Sequence, residues 1–392
     1  MRQVASFAFV VLVVWLGWQI LSQVAVMRSP AQMVIRINPA SPLVLGRAAE
    51  AELGARRFQN ASALAAESLK RAPFNVRALR VLGLATAEEG RPAAANEMLT
   101  LAGNWSLRDD PSHAWLVQYR LSRGDFGSSF AHADTLARRR EDLHPQLFQF
   151  FTVAASADPR AMASLADVVG ASPPWRYAYL YQLNQSPTGL ETASNLALAL
   201  ERNRTPMTDL ELGYLYEKLL GAGRLPALFE LRRRLNRPQA ALLTNGDFAS
   251  ATGPKPFEWR LFDGAGLSAQ VMPDDSGESA LRVEYGGYSY RPLAEQLIRL
   301  PPGTYRWAGR AHSEGGSPSE GLSWAISCFE TGEKIAESAS GELPEAWRRF
   351  SVQLTVPAQR CSAQWLRLLP EFRDRSQPAV VWYDGFSISP SS

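Results

Sequence analysis

The spacing of apolar residues changes once along this chain of 392 residues, near Leu242. From residue 42 to about residue 240, apolar side chains recur every three or four positions, which is typical of amphipathic helices. After Leu242, short runs of alternating apolar and polar residues lie between Gly, Pro and Ser turns, as in β-strands. A chain of this length usually forms more than one domain. We therefore predict a multidomain protein, with an all-α domain followed by an all-β domain.

The N-terminal segment from Val4 to Val26 is apolar and carries no charge. A helix of this length can cross about 30 Å of hydrocarbon, so we predict a transmembrane anchor. The alternative is a cleaved signal peptide, although the apolar region of such peptides is usually only about 7–15 residues long. The predicted domains are an anchor, a linker, a helical repeat domain and a β-sandwich, over residues 1–28, 29–41, 42–240 and 241–392.

The chain has two cysteines, Cys328 and Cys361, and both lie in the β-rich part. A single pair within one such domain indicates a disulfide formed in an oxidising compartment. The alternative is two buried free thiols, because cysteine is often buried without pairing. Together with the membrane span, a disulfide favours a single-pass protein of the bacterial inner membrane with most of its chain in the periplasm.

Composition and motifs argue against two classes of function. The 41 Lys and Arg residues nearly balance the 38 Asp and Glu residues, so we expect no nucleic-acid partner. The chain has no His-Glu-x-x-His helix, no Gly-x-Ser-x-Gly elbow and no phosphate-binding loop. Its histidines are scattered along the sequence, at His113, His132, His144 and His312. We therefore predict no catalytic residues and no enzymatic activity.

The helical region repeats a two-helix plan with a period of about 34 residues between Pro42 and Leu143. Small residues recur where paired helices would approach closely, at Ala61, Gly83, Ala95 and Ala131. This pattern resembles the tetratricopeptide repeat, and Leu212-Gly213 with Tyr216 resembles the core of a further repeat. The resemblance implies a helical solenoid whose curved surface binds protein partners. The alternative is a helical bundle without a binding face.

The β-rich region contains seven predicted strands and resembles the carbohydrate-binding modules of families four and nine, which are jelly-roll sandwiches. The predicted strands are Ser279–Tyr285, Glu295–Leu300, Gly303–Ala311, Leu322–Phe329, Arg348–Val356, Gln364–Leu369 and Val380–Ile388. The resemblance rests on Asn245-Gly246-Asp247-Phe248, Phe257-Glu258-Trp259, Ser276–Val283, Gln296–Tyr305, Trp347 with Phe350–Val356, and Tyr383-Asp384 with Phe386–Ile388. A sugar-binding surface needs exposed aromatic rings beside polar groups. The candidates are Tyr288 and Tyr290 in the loop GGYSYRP, and Trp307 and Trp324 on central strands. The alternative for each of these rings is that it is buried in the core of the sandwich.

Members of these families often hold a structural calcium ion through acidic residues at the two ends of the module. The matching candidates here are Asp247 and Asp384, but Ala249 follows Phe248 where the family has Glu, and Gly385 follows Asp384. We therefore expect no cofactor, with a calcium ion as the alternative.

These patterns predict a non-catalytic, membrane-anchored envelope protein. Its helical array would bind protein partners and its sandwich would bind polysaccharide, as in an accessory or scaffold protein of exopolysaccharide assembly or export. The alternative is a purely structural docking protein whose sandwich binds no sugar.

Overall fold

The computed structural model describes residue 15 and residues 35–36, 38–235, 242–249, 253–372 and 375–391. Apart from Trp15, the predicted membrane span at 4–26 lies outside the described residues. Within the described ranges, none of the helices has the length and apolar character needed to cross a membrane. The chain divides into two compact units, Met1–Tyr179 and Leu180–Ser392. The domain boundary near residue 240 stays a prediction.

The first unit is built from helices that pack on their neighbours in the sequence. They are α1 (Pro42–Gly54), α2 (Phe58–Arg71), α3 (Val76–Glu88), α4 (Pro92–Trp105), α5 (Asp110–Ser122), α6 (Phe126–Ala137), α7 (His144–Ala157) and α8 (Pro159–Gly170), with a short 3₁₀ helix at Glu141–Leu143. Helix α1 also packs on α3, so one helical pair contacts the next. The predicted helical array is confirmed, while its identity as tetratricopeptide repeats stays a prediction.

Local signals in the sequence set the helix ends. Proline occupies the first turn of α1, α4, α5, α7 and α8, where its missing N–H costs no hydrogen bond. The side chains of Asn75 and Asp125 cap α3 and α6 by accepting hydrogen bonds from backbone N–H groups. Gly90 and Gly124 follow α3 and α5 with positive φ angles of 81° and 72°, which glycine adopts without strain.

Small residues allow close helix packing at three of the four predicted positions. A Cβ atom added to Gly83 would lie 2.7 Å from the Leu99 side chain, so α3 and α4 require glycine there. Ala61 and Ala95 are completely buried. Ala131 is exposed, and its predicted role in helix packing is wrong, because it lies on the outward side of α6.

The second unit combines the last helices with a β-sandwich. Helix α9 (Arg176–Leu183) contains the point of division and is followed by α10 (Pro187–Arg202), α11 (Asp209–Gly221) and α12 (Leu225–Arg234). Thr208 and Glu211 form a reciprocal capping box at the start of α11.

The sandwich consists of two antiparallel sheets, each with five described strands. Sheet one has the order β1-β4-β9-β6-β7 and sheet two has the order β2-β3-β10-β5-β8. The strands are β1 (Arg260–Leu261), β2 (Leu267–Pro273), β3 (Ser279–Tyr285), β4 (Ala294–Ile298), β5 (Gly303–Ser313), β6 (Leu322–Cys328), β7 (Lys334–Glu337), β8 (Arg348–Val356), β9 (Gln364–Pro370) and β10 (Ala379–Pro390). All seven predicted strands are present, β3 and β8 with the predicted bounds. The two-sheet sandwich is therefore confirmed.

The core of the sandwich lies between the two sheets and is rich in aromatic rings. Trp324 contacts Phe386 and Trp259, with ring centroids 4.8 and 5.5 Å apart. Cys328 and Cys361 form the predicted disulfide at the edge of this core, where both are buried.

Phe257 joins the last helices to the sandwich within the second unit. Its ring is only 3% exposed and lies 5.4 Å from the Tyr216 ring and 5.8 Å from the Phe229 ring. The Arg232 guanidinium also packs on the Phe257 ring, 3.9 Å from its centroid. Burial of such a ring stabilises the contact by about 2–3 kcal/mol, so the helices and the sandwich support each other.

Candidate functional site

Three exposed aromatic rings meet at one end of the sandwich. Tyr288, Tyr290 and Phe372 are 61%, 78% and 53% exposed, and we call them the aromatic cluster. The Tyr290 and Phe372 rings stack with centroids 5.3 Å apart, and the Tyr288 ring meets Phe372 edge-on at 6.1 Å. The structure therefore brings together the two predicted tyrosines and adds Phe372 to them.

A buried tyrosine anchors both segments that carry the aromatic cluster. The Tyr285 hydroxyl is 3.0 Å from the Ser289 carbonyl oxygen and 3.2 Å from the Glu371 carbonyl oxygen, so it can donate to either. The same hydroxyl accepts a hydrogen bond from the Ser289 N–H at 3.3 Å. Because Ser289 lies between the two tyrosines and Glu371 precedes Phe372, one side chain fixes both segments. Such support reduces the entropy lost when a ligand binds.

The other two predicted platform residues lie in the core. Trp307 is completely buried and Trp324 is 1% exposed, so the prediction that these rings stack on sugar is wrong. The reason is strand alternation: Trp307 has the same parity on β5 as the buried Tyr305 and Ala311, which face the other sheet. Neither ring can contact a ligand without opening the sandwich.

The outward side chains of sheet two form a second aromatic group, beside an arginine. His312 on β5 pairs directly with Trp382 on β10, and their rings lie parallel with centroids 6.1 Å apart. On the other side His312 contacts Trp347 edge-on at 4.4 Å. The Arg310 guanidinium lies 4.6 Å from the Trp347 ring centroid. We call Trp382, His312 and Trp347 the aromatic row.

Ion pairs surround the aromatic row. Glu314 accepts hydrogen bonds from Arg282 at 2.9 Å and from the Trp382 indole N–H at 2.7 Å. These two donors, the arginine first, hold the pKa of the Glu314 carboxyl below its ordinary value, although its partial burial opposes the shift. Arg310 donates from Nε to Asp384 Oδ2 at 2.8 Å, and this hydrogen bond raises the pKa of Arg310. Arg282 and Arg310 are therefore each held in place by an ion pair beside the aromatic row.

The two candidate calcium ligands differ in their surroundings. Asp384 is 5% exposed and is neutralised by Arg310, whereas Asp247 is exposed and accepts a hydrogen bond from the Ala249 N–H. Among the residues that the structure describes, no group of three or more His, Cys, Asp or Glu side chains could hold a metal ion.

Sequence reasoning missed Phe372 and the aromatic row. Phe372 follows β9, far along the sequence from Tyr290, and no local pattern in the sequence marks Phe372 as a neighbour of the two tyrosines. His312 and Trp382 meet only through the pairing of β5 with β10. The one available signal was the parity of His312, which alternates with the buried Ala311 and Ser313 and so must face outward.

No protein-family profile matches the sequence, and no curated protein sequence is significantly similar to it. Many solved structures are similar in fold, and for the three described next each match covers 38% of this chain. A family 4 carbohydrate-binding module is 16% identical over 99% of its length, with a TM-score of 0.30. A putative sugar-binding protein from Bacteroides thetaiotaomicron is 13% identical over 100% of its length, with a TM-score of 0.29. A family 61 module in complex with β-1,4-galactotriose is 16% identical over 99% of its length, with a TM-score of 0.27. At these identities the likeness is one of fold alone.

Proposed function

We propose that the sandwich binds glycan chains through the aromatic cluster and that the protein has no catalytic role. The observation that carries this proposal is the exposure of Tyr288, Tyr290 and Phe372, which are all more than half exposed, with both tyrosine rings in contact with Phe372. Apolar rings gathered at a surface usually mark a binding site.

The chemistry of the aromatic cluster suits a sugar. A pyranose ring has an apolar C–H face that packs on an aromatic ring, and its hydroxyl groups stay hydrated or bind nearby polar groups. Each aromatic contact contributes about 1 kcal/mol beyond the burial of apolar area. Two or three such contacts give weak binding to one chain segment, and repetition along a polysaccharide raises the overall avidity.

For the whole chain we propose a membrane-anchored protein of the bacterial envelope. Supporting this are the uncharged segment Val4–Val26 and the disulfide Cys328–Cys361, which is stable in an oxidising compartment. In this proposal the N-terminus is cytoplasmic at the inner membrane, the rest of the chain is periplasmic, and the helical array binds protein partners. Its role is that of an accessory or scaffold in exopolysaccharide assembly or export.

The competing proposal is a docking protein whose aromatic cluster contacts another protein. The exposed rings alone fit both functions, because aromatic residues are also enriched in protein interfaces. The two differ in ligand: only the first predicts retention by a polysaccharide that contains no protein.

Affinity electrophoresis of the full chain, purified in detergent, tests the glycan proposal. The gels contain xylan, a mixed-linkage β-glucan, galactan or polygalacturonate, with a polysaccharide-free gel as reference. We expect at least one polysaccharide to retard the wild-type protein. The variant Tyr288→Ala/Tyr290→Ala should lose this retardation and keep the wild-type melting temperature, because both rings are exposed.

The matched control is Phe74→Ala, which removes a ring that is 80% exposed in the first unit. It should leave retardation unchanged. Wild-type protein that runs unretarded in every gel, or a double variant that is retarded like the wild type, would overturn the proposal and favour the docking protein.

A further inference from the structure

A depression of about 540 Å³ lies on the outer face of sheet two, beside the aromatic row. Its floor consists of small side chains, because Ala308 on β5 pairs with Ser351 on β8 and with Ser387 on β10. Because the side chains at these three neighbouring positions are small, the surface is recessed between the larger side chains around them. Glycine at 385 extends the floor along β10.

Arginines stand at both ends of this floor. Arg306 lies two residues before Ala308 on β5, and Arg310 lies two residues after it, so all three face outward. Arg349 on β8 pairs directly with Arg310. At the strand rise of about 3.3 Å per residue, the two ends are about 13 Å apart, which leaves room for sugar rings between them.

The charges of the depression are unequal. Arg310 is engaged by Asp384 and by Glu278. By contrast, Arg306 and Arg349 are exposed, and neither side chain forms an ion pair or a hydrogen bond with the described part of the chain. Two guanidinium groups are thus available to an anion, and Asp384 is the one carboxylate among the residues that line the depression.

We propose that this depression binds carboxylates of acidic sugar residues, so that the preferred ligand of the sandwich is a uronate-containing polysaccharide. This inference rests on the proposed function and names its substrate class. Arginine suits a carboxylate because its planar group donates two parallel hydrogen bonds. Trp347, which lies against Arg310, offers an aromatic surface next to the charged site.

The binding mode predicts a dependence on salt that ring stacking alone would lack. Guanidinium and carboxylate groups at an exposed site attract each other less as the ionic strength rises, because the Debye length falls from about 10 Å at 0.1 M to about 3 Å at 1 M. Binding of the uncharged form of the same polymer should change little over this range.

The test compares polygalacturonate with its fully methyl-esterified form, and alginate with its propylene glycol ester, by affinity electrophoresis of the full chain. We expect the acidic form to bind the wild-type protein about three- to tenfold more tightly than the ester. This factor corresponds to the free energy that two solvent-exposed ion pairs contribute to binding. In the variant Arg306→Gln/Arg349→Gln the two forms should bind equally. The control Arg348→Gln/Arg360→Gln removes the same charge from two other exposed arginines of the sandwich and should keep the preference.

The two proposals fail in different ways in this experiment. If neither the esters nor the acidic polymers bind, the uronate inference is overturned, and the glycan-binding function is overturned with it only when xylan, mixed-linkage β-glucan and galactan also fail to retard the wild-type protein. If the wild-type protein binds the esters and the acidic forms equally, or if the preference survives in Arg306→Gln/Arg349→Gln, only the uronate inference is overturned. A preference that the control variant also loses contradicts it too, because general surface charge would then explain the binding.

Discussion

The Tyr290 and Phe372 rings stack with centroids 5.3 Å apart and planes inclined by 9°, although one follows β3 and the other follows β9. The hydroxyl of the buried Tyr285 contacts the backbone beside both rings. The stack is therefore held by the fold as well as by the attraction between the rings. This explains how exposed rings can form a preorganised platform.

We expect Phe372→Ala to weaken polysaccharide retardation without unfolding the protein. The substitution removes one ring and the support of a second, so the apparent Kd should rise about three- to tenfold, given about 1 kcal/mol for each aromatic contact. Affinity electrophoresis against the polysaccharide that retards the wild type best measures the change. Phe372→Tyr, which keeps the ring, should behave as the wild type, and an equal loss in both variants would contradict a role for the ring.

The sequence was sufficient to predict the strands but not the surfaces. Alternation and turns are local properties, so β3 and β8 appear with their predicted bounds. A ring's environment depends instead on strand parity and on pairing between distant strands, which placed Trp307 in the core and brought His312 to Trp382. Loop residues do not depend on strand parity. The two glycines before Tyr288 predict a loop, and both Tyr288 and Tyr290 are exposed there, but their contact with Phe372 follows only from the tertiary fold.

The disulfide should contribute strongly to the stability of the sandwich. Cys328 and Cys361 are separated by 33 positions, and closing a loop of this size stabilises a domain by about 2–4 kcal/mol. We expect Cys328→Ala/Cys361→Ala to lower the free energy of unfolding by this amount, measured by urea denaturation. Adding reductant should destabilise the wild type to a similar extent and leave the variant unchanged.

Stability should fall in mild acid because of a histidine pair in the first unit. The Nδ1 atoms of His113 and His132 lie 2.9 Å apart, so at least one of them must be unprotonated. Burial, followed by the neighbouring His113, lowers the pKa of His132 from 6.5 to about 4. As the pH falls from 6.5 to 4, the unfolded chain takes up a proton that the folded chain does not, so the free energy of unfolding decreases. We expect a loss on the order of 2 kcal/mol once partial exposure is allowed for.

Thermal melting between pH 7 and pH 4 would measure this loss, and His132→Gln isolates it. Glutamine can still hydrogen-bond to His113 but does not titrate, so the variant should be less sensitive to pH than the wild type. Parallel curves for the two proteins would show that acid sensitivity arises elsewhere, for example from the carboxylates of surface ion pairs.

The last prediction concerns Phe257, which couples the final helices to the sandwich. Its buried ring contacts Tyr216 on α11 and Phe229 on α12, so Phe257→Ala should lower the free energy of unfolding of the full chain by about 3–5 kcal/mol. In a fragment spanning residues 241–392 those helices are absent and the ring has lost these partners. There the same substitution should cost less than about 1 kcal/mol, and the fragment should unfold at lower urea concentration than the full chain. Equal costs in both backgrounds, measured by urea denaturation, would mean that the ring acts within the sandwich alone and that the boundary near residue 240 separates two independent domains.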